Sequence, residues 1–225
     1  MVTQLSVTAA LKEWAVAISA LGSGQQCLII RKGGIHEENH RFEVTYPEFL
    51  LSPSFEHQQI GLLRPELAEV LSSAFDEAFP VPQEEGLRFD YYAQTVSAFP
   101  ITTTDQLSAL SPFHIWNERY AEQRLFWRPR QALTAMVLRV YQLPVPAMAP
   151  WRDEYAGCKS WIALRDVVHL QEMLPVLSEN DFQNQCDLIQ KATEATSVQH
   201  WTTQLLEASK HHRTNSSSER QKQDV

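Results

Sequence analysis

Arginine is the residue type in this chain best suited to chemistry with an anion. It outnumbers lysine 13 to 6, and its planar fork matches phosphate or carboxylate bidentately. Between Arg119 and Arg139, five arginines (Arg119, Arg124, Arg128, Arg130 and Arg139) stand against one acid, Glu122. Phosphate contact and pairing with the chain's acid excess are both open to them. A second concentration is Arg31-Lys32-Gly33-Gly34-Ile35, where an apolar run delivers two cations to a glycine turn whose open amides can hold an anion. The plain alternative is a hairpin turn with solvated charges. A third segment, Tyr155-Ala156-Gly157-Cys158-Lys159-Ser160-Trp161, sets two aromatic rings beside Lys159 and near Arg152, a composition that can stack on and neutralise an exposed nucleotide. Its alternative is a pair of core aromatics at the start of a strand. These segments nominate Arg31, Lys32, Gly33, Gly34, Arg128, Arg139, Tyr155, Lys159 and Trp161 as nucleic-acid contacts. His57 is a candidate acid–base group. Cys158 becomes a nucleophile only with a base beside it, and the sequence assigns none.

Other motifs fail on context. His36-Glu37-Glu38-Asn39-His40 spells the H-E-x-x-H of zinc proteases, which needs both imidazoles one turn apart on a helix. Here the pentapeptide lies between Gly33-Gly34 and the strand-like Phe42-Glu43-Val44, too short a span for a helix, so it reads as a chance match in a loop. Glycine-rich phosphate loops, the hydrolase nucleophile elbow, E-x-K and C-x-x-C are all absent from the sequence. No metal or cofactor is expected.

The elements that position these residues come from periodicity. The 225 residues suffice for one substantial domain, and a 44% hydrophobic content supports a core. The formal charge is −8, from 19 basic against 27 acidic residues, which excludes a polyanion binder of the histone kind but not a local basic patch. Three widely spaced cysteines (Cys27, Cys158, Cys186) and no leader-like segment predict reduced thiols in a cytoplasmic protein, and no apolar run predicts a membrane span. Thr8–Leu21 reads as an amphipathic helix capped at Gly22, and 25–31 as a buried strand. Strands are expected at 42–46, 48–51, 87–97, 133–143 and 160–164, and helices at 66–79 and 111–124. A proline-rich loop is expected at 144–150. Ser178 with Asp181 predicts the start of a helix running to about Ala195, with a last helix at 198–206. The composite is an α+β domain over 1–170 whose mixed or antiparallel sheet curls into a partial barrel with rim helices. C-terminal helices over 171–208 pack on it, and a disordered polar tail follows over 209–225.

With these segments in view, the chain resembles the domain of unknown function family numbered 1802, frequent in cyanobacteria. The residues carrying the resemblance are Leu11–Val16, Leu28–Ile35, Phe42–Val44, Phe49–Pro53, His57-Gln58, Leu138–Pro144 and Tyr155–Trp161. The family carries no assigned activity. Its association with restriction-type nuclease domains implies a nucleic-acid or defence context and a nuclease-type partner. At the level of fold, a helix bearing Trp14, a glycine and a strand ending in Arg31 resemble the opening of small RNA-binding barrels of the PUA and ASCH-like type. The leading expectation is a nucleic-acid-binding accessory module. A protein-interaction factor without nucleic acid, or an enzyme with an unfamiliar site near His57 and Cys158, are the alternatives.

Overall fold

A computed structural model of the chain describes residues 5–32, 42–55, 59–71, 86–127, 131–157 and 159–196. Seven strands are present: β1 (Leu5–Trp14), β2 (Leu28–Arg31), β3 (Glu48–Ser54), β4 (Leu87–Ile101), β5 (Leu133–Ala149), β6 (Trp161–Leu170) and β7 (Leu174–Pro175). The helices are α1 (Ala15–Gly22), α2 (Pro65–Ala68), α3 (Thr104–Ala109), α4 (Glu118–Phe126) and α5 (Glu179–Ala195). The strands form one sheet in the order β2-β5-β4-β3-β1-β6, with β7 on β5. β1 and β3 are parallel and every other pairing is antiparallel, so the sheet is mixed and the α+β class expected from the sequence holds. β5 approaches β6 across the curl without a hydrogen-bonded ladder, so among the described residues the sheet bends but does not close.

The first element departs from its expectation. Leu5–Trp14 is a strand, and the helix begins only at Ala15. Ala-Ala-Leu-Lys-Glu favours a helix locally. Pairing with β3 on one side and β6 on the other overrides that preference and leaves Val7, Ala9, Ala10 and Leu11 buried. α1 then buries Ala15, Val16, Ala17, Ile18, Ala20 and Leu21, so it is apolar on nearly every side, as a core helix is. The expected loop at 144–150 is instead the end of β5, which runs on through Pro144 and Pro146. Both prolines fall where the ladder with β4 is interrupted, between the pairs Tyr91↔Gln142 and Phe89↔Ala147, so neither removes a ladder donor. The stretch 42–46 is irregular; within 111–124, where one helix was expected, a three-residue 3-10 turn at Ser111–Phe113 stands before α4, which starts only at Glu118, and the capped helix α3 ahead of them was not expected. The helix expected at 66–79 is described only as α2 and the turn after it. Ser178 does open α5: its hydroxyl accepts from the Asp181 N–H at 3.1 Å. The segments 33–41, 56–58, 72–85 and 197–225, with the pentapeptide His36–His40, His57, the last helix and the tail, lie outside the described residues.

Both sheet faces are covered. On one, Leu28, Phe99, Ile101, Ala135 and Val137 pack with α3, α4 and α5 through Leu107, Leu125, Phe182 and Ile189. The same face continues across Leu50, Tyr92, Ala10 and Ile162 under the turn that carries Tyr155. On the other, Ile18 and Leu21 of α1 meet Ile29, Phe49, Leu51, Met136 and Leu138.

Two positions make the fold testable. Gly86 has φ +100°, and a Cβ there would stand 2.5 Å from the Ala149 carbonyl oxygen, where β4 starts against the end of β5. Gly86→Ala is expected to cost about 2 kcal/mol in chemical denaturation, since both the backbone conformation and the space exclude a side chain. An unchanged midpoint would contradict this placement. His114 is 2% exposed; its Nδ1 accepts from the Trp116 N–H at 3.2 Å. Burial, with the positive charge of Arg64 nearby, pushes its imidazole from 6.5 down to about 4. The unfolded chain therefore binds a proton that the folded chain refuses. The stability His114 contributes is complete above pH 6.5 and is lost as pH falls toward 4, by about 3 kcal/mol. His114→Gln should flatten the difference in urea midpoint between pH 7 and 4.5; equal slopes in both proteins would refute the assignment.

Candidate nucleic-acid interface

β1 and β2 end side by side, and their last residues are charged. The Arg31 Nη1 donates to Glu13 Oε2 at 2.8 Å, and Glu13 Oε1 accepts from the Trp14 N–H at 2.8 Å. Glu13 is 7% exposed, so the pair removes two charges from water only by matching them. The Arg31 guanidinium also lies 5.2 Å from the centre of the Phe42 ring, while its buried Nε has no hydrogen-bond partner. Lys32, the next residue, turns the other way: it is 4% exposed and its Nζ donates to the Leu125 carbonyl at 2.7 Å. A cation on one of the last carbonyls of α4 is the favoured arrangement for a helix C-terminus.

The other end of α4 is fixed as well. Asn117 Oδ1 accepts from the Tyr120 N–H at 2.9 Å, and its Nδ2 donates to the Gly61 carbonyl at 2.8 Å. Held at both ends, α4 turns Tyr120 and Arg124 toward the end of β1. Trp14 lies edge-on to Trp116 (centroids 5.2 Å) and stacks with Tyr120 (5.6 Å, 27° between planes), and Trp116 and Tyr120 are 5.0 Å apart. The Arg124 guanidinium sits 5.9 Å from the Tyr120 ring and 6.0 Å from the Trp127 ring and has no carboxylate partner among the described residues.

Glu13, Trp14, Ile30, Arg31, Trp116, Tyr120, Ala121 and Arg124 line a recess of about 470 Å³, its open mouth included. Two guanidiniums against one carboxylate leave it with a formal charge of +1. Burial raises the Tyr120 phenol above its usual value against the pull of Arg124 and Arg31, so it stays neutral near pH 7. The recess therefore offers cations to an anion and ring faces to a planar group.

The residues nominated from the sequence fall into separate places. Arg31 lines the recess. Trp161 joins it indirectly, stacking on Phe42 at 5.9 Å while its Nε1 donates to the Glu43 carbonyl at 2.9 Å. Arg139 is 7% exposed, with its guanidinium 4.7 Å from the Phe182 ring and 3.2 Å from the Glu179 carboxylate, and it docks the start of α5. Tyr155 is buried: its carbonyl accepts from Lys12 Nζ, and its hydroxyl accepts from the Arg165 N–H at 2.9 Å. Lys159 donates to the Glu154 carbonyl at 2.9 Å. Gly33, Gly34, Arg128, His57 and Cys158 lie outside the described residues. Sequence reasoning missed Glu13, Trp14, Trp116, Tyr120 and Arg124 as one group. Part of a signal was available, because Tyr120 and Arg124 are four residues apart on α4, the spacing of one helical face, whereas Trp116 precedes the helix.

Among solved structures, the chain is similar to an ASCH protein from Zymomonas mobilis at 12% identity and a TM-score of 0.42, over 70% of this chain and 87% of that one. Two single-substitution variants of that protein match alike. One gives a TM-score of 0.43 at 12% identity, over 70% and 88% of the two chains. The other gives 0.41 at 11%, over 70% and 90%. Likenesses this weak transfer no ligand, residue or activity. No curated protein matches the chain. The model of the family described as "Domain of unknown function (DUF1802)" matches residues 10–187, which take in the second half of β1, all of β2, the helix beside the recess and the first half of α5. By that match the chain belongs to the DUF1802 family.

Proposed function

We propose that this protein is a nucleic-acid-binding module that takes a single-stranded segment at the Arg31–Arg124 recess. The observation that carries the reading is the convergence of Arg31, Arg124, Trp14, Trp116 and Tyr120 on one recess. Arg124 lacks a carboxylate partner and Arg31 keeps one buried N–H unpaired, both among the described residues. A phosphate oxygen is the acceptor that such donors favour. A base stacks on the exposed edge of the aromatic cluster, and Glu13, already held by Arg31, offers a carboxylate to the amino groups of a base edge. The net acidity of the chain confines binding to this local patch. Gly33-Gly34, directly after Lys32, and Arg128, shortly after α4, extend the reading along the chain from the two cations that flank the recess. Trp161 positions Arg31 through Phe42, whereas Lys32, Arg139 and Tyr155 hold the frame. A nuclease-type partner is the partner class that the family resemblance implies, and no surface is assigned to it. Cys27 and Cys186 are free thiols, which supports a reducing, cytoplasmic setting.

Fluorescence anisotropy with labelled single-stranded and duplex RNA and DNA, over a range of salt, tests this reading. Arg124→Gln is the informative variant because Arg124 supports no ion pair among the described residues, so the fold has little reason to change. It should weaken single-strand binding by about tenfold and lower the salt slope by roughly 0.7, the value of one phosphate contact. Tyr120→Ala, which removes a stacking surface, should weaken it by about tenfold with the salt slope unchanged. If the unaltered protein binds no single strand at low salt, or binds duplexes as tightly, the reading fails.

A further inference from the structure

A second and larger cleft lies between α3 and α4, with about 660 Å³ of space including its mouth, lined by Thr104, Asp105, Ser108, His114, Glu118 and Glu122 among others. Its carboxylates form no ion pair among the described residues. The helix dipoles account for Asp105 and Glu118, which stand in the first turns of α3 and α4. Glu122 sits beyond that turn and has no such explanation. A further lining residue is His114, whose buried Nε2 has no partner. Since its Nδ1 accepts from the Trp116 N–H, the imidazole carries its proton on Nε2 and lacks an acceptor. The cleft therefore asks for cations at its acidic rim and an oxygen at His114. A peptide bearing lysine or arginine supplies both, its side chains for the carboxylates and a backbone carbonyl for the imidazole.

The chain itself contains such a peptide close at hand. α5 ends against α3: the Gln106 Nε2 donates to the Thr196 carbonyl at 3.5 Å, and Gln106 lies between the lining residues Asp105 and Leu107. From Ser209 to Lys222 the sequence has Lys210, Arg213, Arg220 and Lys222 against Glu219, a formal +3, while the whole chain is −8. From Thr196 to Lys210 is 14 residues. At 1.5 Å per residue if helical, or about 3.5 Å if extended, they span roughly 20 to 50 Å, ample to cross from the end of α5 to the neighbouring cleft.

We propose that the acidic cleft between α3 and α4 is a binding site for a basic peptide segment and that its occupant is this chain's own Ser209–Lys222. The site is separate from the arginine recess, and the proposal stands whether or not that recess binds nucleic acid.

Zero-length carbodiimide coupling on the full chain, read by peptide mass spectrometry, tests it. The expected result is an amide link from Lys210 or Lys222 to Asp105, Glu118 or Glu122 in the monomeric fraction. Yield should fall roughly fivefold in the double variant Glu118→Gln/Glu122→Gln, read at the remaining Asp105. It should also collapse in about 1 M NaCl, where the Debye length is roughly 3 Å. Circular dichroism matching the unaltered chain shows that the variant is folded, and an added Ser209–Lys222 peptide should compete the link away. Links confined to the dimer fraction would make a second copy the occupant and overturn the assignment. Links from these lysines only to other carboxylates, or none, would overturn it equally.

Discussion

Three charged side chains meet at the adjacent ends of β1 and β2, and all three are largely out of water. Unmatched, each would cost several kcal/mol. Glu13 and Arg31 answer this by pairing, and Lys32 by donating to a carbonyl in the last turn of α4. Each solution constrains something beyond itself. The pair locks the ends of two strands that are far apart in the sheet order, and the lysine fixes where α4 ends. The Asn117 cap fixes where it starts. With those points set, Tyr120 and Arg124 have little choice but to face Trp14, so the recess follows from electrostatic housekeeping at the strand ends.

Legibility in the sequence divides along physical lines. β4, β5 and α5 were readable because their patterns are long and their ends are marked by a glycine, an apolar run and the Ser178–Asp181 cap. β1 was not, since its helix-favouring residues are held in a strand by neighbours whose positions the local sequence does not encode. The prolines of β5 misled in the opposite sense. They signal a loop wherever every backbone N–H is needed, and they sit where the ladder lapses. The interleaved elements left the sheet mixed or antiparallel, because the parallel β1–β3 contact that decides it depends on pairing across the chain.

For the candidate site, residue type was readable and grouping was not. Arg31 was found because a strand ending in cations before glycines is unusual. Arg139 looked equally promising in sequence, yet it lies mid-strand on a covered face, where Glu179 and the Phe182 ring occupy it. An arginine at a strand's end can reach open space, whereas one in its middle meets whatever packs on that face. Trp14, Trp116 and Tyr120 carry no charge to single them out in sequence, and each packs in or against the core. Their value as a surface arises only where β1 stops and α4 passes over it.

β1 has its partners at opposite ends of the chain. On one side it pairs with β3, some 40 residues on (Ala10↔Leu50), and on the other with β6, some 152 residues on (Ala10↔Ile162). A nascent chain can therefore satisfy only one edge of its first strand until the sixth strand has left the ribosome. Until then the β6-facing edge of β1 is a row of unpaired amides and carbonyls, open to a foreign strand. The β1–β6 pairing is also among the longest in sequence, and contacts of that separation carry a large loop-closure cost. The helix-favouring sequence of β1 bears on this interval, because time that the segment spends as helix is time in which it shows no ladder of unpaired amides.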